Sequence, residues 1–172
     1  MFGKVTGVGR SGGTDRTRRM KRILRMSDAI RLTCTACGQA NRLPRSRLGA
    51  GPKCATCGDG LVTGKVAELD PGVHSKVTRL DGLPVVVDYW APWCGPCRMM
   101  APSFSQAAVS LKGKAIFAKI NTQDYPEVSQ KLDIRGIPLL ILYASGREVG
   151  RLSGARPAAD IEQFVRSHPS SP

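Results

Sequence analysis

Among the 172 residues no apolar stretch approaches the roughly 18 needed to cross a bilayer, and no apolar block follows the basic N-terminus that could act as a secretory h-region. Neither a membrane span nor a cleaved leader is therefore expected, and the expected compartment is the cytosol. Histidine is scarce: His74 and His168 are the two in the chain, neither has a ligand-spaced partner, and neither is assigned a role. Internal repeats are absent. Acidic residues are few, 13 against 26 Lys and Arg, which leaves a formal net charge of +13. Six cysteines in a shorter secreted chain would suggest a disulfide scaffold. Here all six fall in Cys-x-x-Cys pairs, and in a cytosolic protein such pairs mean metal or redox chemistry.

A hydrophobic content of 41% beside 23% charged residues describes a globular chain, long enough to bury a real core as one domain or as one domain plus a small satellite. The charge is uneven. Lys4, Arg10, Arg16, Arg18, Arg19, Lys21, Arg22 and Arg25 face only Asp15, so residues 1–25 hold +7 of the +13. Rich in Gly, Ser and Thr and without apolar periodicity, this stretch reads as a disordered extension. It could neutralise nucleic-acid phosphates or another anionic surface, or act as an Arg-rich transit peptide. No aromatic is interleaved with its charges to grip bases, and Met20 or Met26 could equally be the natural start.

The remainder divides into a four-cysteine module, residues 26–60, and a larger domain, 61–172. Residues 31–60, "RLTCTACGQANRLPRSRLGAGPKCATCGDG", are short-looped and too poor in apolar residues to bury a core alone. After them, "LVTGKVAEL" and "LPVVVDYW" read as strands with a helix over Pro71 to Leu80 between them. A longer helix is expected over Cys97 to Leu111, with Cys97, Met100, Phe104, Ala108 and Leu111 at helical spacing. A strand "AIFAKI", a short helix Pro126 to Leu132, and a strand "LLILY" follow. "EVGRLSG" is its hairpin partner across Ser145-Gly146, and a helix after Pro157 presents Ile161, Phe164 and Val165 on one face. This order predicts an α/β fold with helices on both faces of a mixed sheet.

Cys34-x-x-Cys37 and Cys54-x-x-Cys57 have the ligand spacing of a zinc site. Each pair is followed by a glycine, Gly38 and Gly58, which permits the positive-φ turn that aims backbone N–H groups at a metal-bound sulfur. Four thiolates would close a tetrahedral Zn²⁺ site to water, the structural type, with one ion per chain. Arg31, Arg42, Arg45, Arg47 and Lys53 lie close in sequence to offset its charge. Metal binding would supply most of this module's folding free energy, on the order of 10 kcal/mol. The competing reading is two more redox pairs or free thiols.

Cys94-Gly95-Pro96-Cys97 stands in a different context, between a strand and a helix. At a helix N-terminus the unpaired N–H groups and the dipole stabilise a thiolate, which makes Cys94 the nucleophile. Cys97, one turn inside, would be shielded and would resolve a mixed disulfide. Pro96 is tolerated because the first turn does not use its N–H. The competing readings are a structural disulfide or half of a metal site.

The segments "VVVDYWAPWCGPCRMMAP", "FAKINTQ" and "IRGIPLLILYASGREVGRLSGA", together with the four-cysteine module, resemble thioredoxins of the zinc-containing thioredoxin-2 type from Leu32 to the C-terminus. The resemblance implies a thioredoxin fold preceded by a zinc-ribbon-like module. It makes Asp88 the buried carboxylate that exchanges a proton through water with Cys97, Lys119 the lysine beside it, and Pro138 a cis-proline facing the dithiol, with the Ile137 backbone offered to substrate. Trp93, Pro96, Gly136, Ile137, Gly154 and Ala155 would form the apolar rim that docks partners. Trp90 would pack beneath the site, and Pro102 would kink the long helix. Of Met99 and Met100, one should face the core and the other solvent. Leu139 departs from the threonine that many thioredoxins carry after the cis-proline.

The function so implied is reduction of protein disulfides through Cys94 and Cys97, with no organic cofactor in this chain. The partners would be disulfide-containing proteins and an NADPH-dependent flavoprotein thioredoxin reductase. The protein is expected to be monomeric and independent of membranes, with nucleic acid reachable only through residues 1–25. A disulfide isomerase or oxidant would share these residues. A zinc-module binding protein using the larger domain as scaffold is the alternative from outside enzymology.

Overall fold

The computed structural model of the chain describes residues 28–168. The basic stretch 1–25, and with it every reading of its charge and disorder, lies outside the described residues.

The four-cysteine module begins with β1 (Ala29–Thr33), paired antiparallel to β2 (Ala40–Pro44) and followed by a 3₁₀ segment, Arg45–Ala50. Its few large apolar side chains, Ile30, Leu32 and Leu43, are buried in one cluster with Leu69, Val73 and Val77 of the larger domain. The module thus shares a core that it is too apolar-poor to build alone. Two hydrogen bonds fix the junction. The Thr33 N–H donates to Asp81 Oδ1 at 2.7 Å, and the Gly82 N–H donates to the Arg31 carbonyl at 2.8 Å.

Gly82 is there because space is lacking: a Cβ at this position would lie 2.8 Å from Ile30 Cβ. Gly82→Ala must therefore push β1 off the domain, and overpacking of this kind costs about 1–3 kcal/mol. The expected outcome is a lower urea midpoint and faster proteolysis between residues 28 and 66, measured against wild type under identical metal loading.

In the larger domain β3 (Ala67–Glu68) leads to α1 (Pro71–Leu80), which starts where Asp70 accepts the Val73 N–H at 2.8 Å and Pro71 occupies the first turn. Then follow β4 (Val85–Trp90), α2 (Gly95–Ser110), β5 (Ile116–Asn121), α3 (Pro126–Lys131), β6 (Leu139–Ala144), β7 (Arg147–Ser153) and α4 (Ala158–Arg166). The five strands lie in the order β3-β5-β4-β6-β7. β4 is parallel to β5, which is parallel to β3, while β6 runs antiparallel to both β4 and β7.

The central strand explains its own sequence. Covered on both faces, "VVVDYW" is a continuous apolar run interrupted by one carboxylate. Val85, Val87 and Tyr89 pack with Val73 and Val77 of α1 and Val128 of α3. Val86 faces the other way, into Met100, Phe104 and Ala107 of α2 and Ile161 and Val165 of α4. Met99, by contrast, is 72% exposed.

One expectation is corrected. The strand read over Leu61 to Leu69 shrinks to Ala67–Glu68. The Leu61 N–H is held by the Pro52 carbonyl of the four-cysteine module at 2.8 Å rather than by a sheet neighbour. Gly64 then turns the chain at φ +72°. Only two residues remain to pair with β5.

Candidate functional site

The four zinc-spaced cysteines converge. Their Sγ atoms all lie within 4.8 Å of one another, with Cys34 and Cys57 at 3.6 Å and Cys37 and Cys54 at 3.7 Å. A tetrahedron with Zn–S bonds of about 2.3 Å has edges of about 3.8 Å, so the thiols already stand near ligand positions.

Two matching turns bring them there. The Cys34 N–H donates to Gln39 O and the Gly38 N–H to Cys34 O; the Cys54 N–H donates to Asp59 O and the Gly58 N–H to Cys54 O. Gly38 and Gly58 have φ +71° and +78°, the left-handed conformation that closes each turn. The glycines' own N–H groups go to carbonyls, and the turns they close aim other backbone N–H groups at sulfur, as the sequence reading expected. The Thr56 N–H and Asn41 Nδ2 both donate to Cys54 Sγ. Hydrogen bonds from the Cys57 and Thr56 backbone lower the Cys54 thiol to about 6, whereas burial pushes the Cys34 thiol up to about 12. The donor set, four soft thiols in a closed tetrahedral arrangement, fits a structural metal of the zinc type.

The second site lies at the carboxyl end of β4. Cys94 is the N-cap of α2, and its Sγ accepts the Cys97 N–H at 3.2 Å. Cys94 and Cys97 form a disulfide, and both are buried, not Cys97 alone. Trp93, 69% exposed, stands in front of them with exposed Pro92 and Pro96.

The antiparallel register completes this face. Tyr89 pairs with Leu139, so Pro138 falls beside the start of the Cys94 loop, and the Ile137–Pro138 bond is cis. The Gly154 N–H donates to the Pro138 carbonyl at 3.0 Å and ties the end of β7 to the same edge. Gly136, Gly154 and Ala155 are exposed there, and Ile137 is half-buried. A groove of about 380 Å³ runs between residues 133–138 and 151–154.

Asp88 lies on the α2 face of β4, two residues beyond Val86. It is buried, and its Oδ1 has no hydrogen-bond partner among the described residues. Burial pushes its carboxyl from 3.8 up to about 7, and the charge of Lys119, its register partner on β5, opposes the rise. Lys119 Nζ sits 4.4 Å from the centre of the Trp90 ring, but its ion pair, at 3.1 Å, is with Glu68. Sequence reasoning missed Glu68, because only the parallel pairing of β3 with β5 sets it opposite Lys119.

The raised carboxyl makes stability pH-dependent. Below about pH 4 the group is neutral folded and unfolded alike; as pH rises toward 7 the unfolded chain ionises first, so its burial increasingly destabilises the fold. A change from 3.8 to about 7 corresponds to about 4 kcal/mol at full extent. Asp88→Asn is therefore expected to raise stability at pH 8 by about 2–4 kcal/mol and to lose that gain near pH 4, read from urea unfolding at both values.

His74, assigned nothing from sequence, is buried, with Nε2 2.7 Å from the Tyr89 hydroxyl, which lies 2.8 Å from that of Tyr143. Burial lowers it to about 4, so it is a neutral core group. His168 stacks edge-on against Phe164.

Comparison with known proteins agrees with this geometry. The sequence model of the thioredoxin family matches residues 68–167, and that of the thioredoxin 2 N-terminal zinc ribbon matches residues 33–59. Thioredoxin C-3 of Corynebacterium nephridii is 38% identical over 134 residues, covering 78% of this chain and 92% of that protein. Thioredoxin 1 of Nostoc is 42% identical over 86 residues, 50% of this chain and 80% of its own length. Among solved structures, chloroplastic thioredoxin z superposes with TM-score 0.56 at 28% identity, over 60% of this chain and 93% of that one. A thioredoxin of Malassezia sympodialis does so with TM-score 0.56 at 27% identity, over 62% and 93%.

The chain belongs to the thioredoxin family, whose members are protein-disulfide oxidoreductases. Within that family it is of the thioredoxin-2 type, with the zinc ribbon at its N-terminal side. Among the described residues no helix is long and apolar enough to cross a membrane.

Proposed function

We propose that the protein is a cytosolic, monomeric protein-disulfide reductase working through Cys94 and Cys97. The observation that carries this reading is the cystine capping α2, with the Cys97 N–H directed at Cys94 Sγ. In the dithiol form that N–H and the helix dipole favour a Cys94 thiolate.

The thiolate attacks one sulfur of a substrate cystine, forms a mixed disulfide and expels the other substrate sulfur as a thiolate. Asp88, whose carboxyl is raised to about 7 and so exchanges protons near neutral pH, accepts the Cys97 proton through water in its ionised form. The Cys97 thiolate then attacks Cys94 Sγ and releases the second substrate thiolate. The Cys94–Cys97 bond is left oxidised, and the substrate has gained two electrons. An NADPH-dependent flavoprotein thioredoxin reductase returns two electrons to this pair. Trp93, Pro96, Gly136, Ile137, Gly154 and Ala155 dock the substrate segment, with Pro138 against the cystine. Lys119 limits the rise of the Asp88 carboxyl.

Cys34, Cys37, Cys54 and Cys57 would hold one Zn²⁺, which supplies folding energy and takes no part in the exchange. The test is NADPH oxidation coupled to reduction of insulin disulfides in the presence of a thioredoxin reductase. Turnover is expected, and a folded, metal-loaded protein that leaves insulin oxidised would refute the reading.

A further inference from the structure

The dithiol face carries charge that neither the redox step nor the fold uses. Arg135 and Arg151 line the groove beside Pro138, and two further arginines, Arg98 and Arg156, follow Cys97 and the groove residue Gly154 closely in the chain. Two are neutralised in place: Arg135 forks onto Asp133 with bonds of 3.2 and 3.0 Å, and Arg151 forks onto Glu148 with bonds of 2.6 and 3.0 Å.

The other two have no carboxylate partner among the described residues. Arg98 follows Cys97 on the exposed side of α2. Arg156 lies beyond the end of β7 and donates through Nε and Nη2 to the Ser153 carbonyl, each at 3.2 Å, which holds the guanidinium against the groove wall that Ser153 forms. Asp133 and Glu148 are committed to those arginines and Asp124, beyond β5, to Asn121 Nδ2 at 2.7 Å, while exposed Asp160, in the first turn of α4 four residues after Arg156, forms no ion pair with it. Arg98, next to Cys97 in the chain, and Arg156, held beside the groove, are thus two cations without an ion-pair partner among the described residues, close in the chain to exposed Trp93 and Ala155. A basic substrate segment would meet like charge at each, whereas an acidic one would gain two charge-assisted contacts.

We propose that the partner segment this face takes is acidic, an extended stretch with Asp or Glu on both flanks of its cystine, one flank meeting Arg98 and the other Arg156. This rests on the reductase reading, because the cystine must reach Cys94.

Three synthetic cystine peptides, identical except for acidic, neutral or lysine flanks, test it. In wild type at low salt, kcat/KM for the acidic peptide should exceed that for the lysine peptide by about tenfold or more, the usual scale of electrostatic steering. The ratio should fall toward one in about 0.5 M salt and invert in R98E/R156E, whose fold is checked by its melting curve. A ratio within twofold at low salt, or a preference that survives both salt and charge reversal, overturns the proposal. The same peptides with serine for cysteine, titrated against tryptophan fluorescence, read docking without chemistry. Acid-selective docking with no turnover of any peptide upholds the surface and refutes the reductase reading; unselective docking refutes the surface.

Discussion

Cys94→Ser is expected to lower NADPH-coupled insulin reduction more than about a thousandfold, because a serine hydroxyl at the same helix cap is not ionised near neutral pH and cannot open a disulfide. The prediction is specific to this sulfur. Cys97→Ser leaves the attacking thiolate in place and removes only the group that resolves the mixed disulfide. That variant should also fail to turn over, but it should accumulate covalent adducts with substrate, visible by non-reducing electrophoresis and mass spectrometry and cleared by dithiothreitol. If adducts formed on Cys94→Ser instead, the roles of the two sulfurs would be reversed, against the placement of Cys94 at the cap and Cys97 within the first turn.

The second large effect is on the metal module. Cys54 has the most heavily supported sulfur of the four, buried and approached by the Thr56 N–H and Asn41 Nδ2. Cys54→Ser should reduce bound zinc from one per chain to none and remove metal-binding energy on the order of 10 kcal/mol, most of what holds residues 28–60 in place. Released from the domain, the module would expose Ile30, Leu32 and Leu43 and leave Val73 and Val77 partly uncovered. The remaining domain should melt several degrees lower while keeping most of its reductase activity, since the metal and redox sites share no residue. Zinc content by atomic spectroscopy, limited proteolysis and the insulin assay read the three parts separately. Retention of a full equivalent of zinc would remove Cys54 from the ligand set.

Much of this architecture was legible because local rules and tertiary packing agree. The helix expected over Pro71 to Leu80 forms there, with Asp70 as its cap, a proline in its first turn and buried Val73 and Val77 a turn apart. "VVVDYW" reads as a buried strand because it is one. The reading failed where a distant segment takes the backbone, as at Leu61, whose N–H is held by the Pro52 carbonyl of the four-cysteine module. His74 escaped notice because its partners, Tyr89 and Tyr143, are 15 and 54 residues away. Glu68 escaped because strand pairing, not spacing, joins it to Lys119.

What the sequence determined by itself is chemistry that depends on short spacing: two Cys-x-x-Cys pairs with their turn glycines, and a third pair between a strand and a helix. In each of these the functional atoms are at most four residues apart, so the backbone brings them together without help. The tertiary structure alone decided which groups separated by tens of residues became neighbours. Register carried Pro138 to the Cys94 loop and Lys119 beside Asp88; docking of β1 on the loop after α1 made the zinc module part of the domain; and the end of β7 joined the edge of the groove beside Pro138. Such contacts arise from closing long loops around a shared core, whose free energy is a sum over many residues, and no short stretch of sequence contains it.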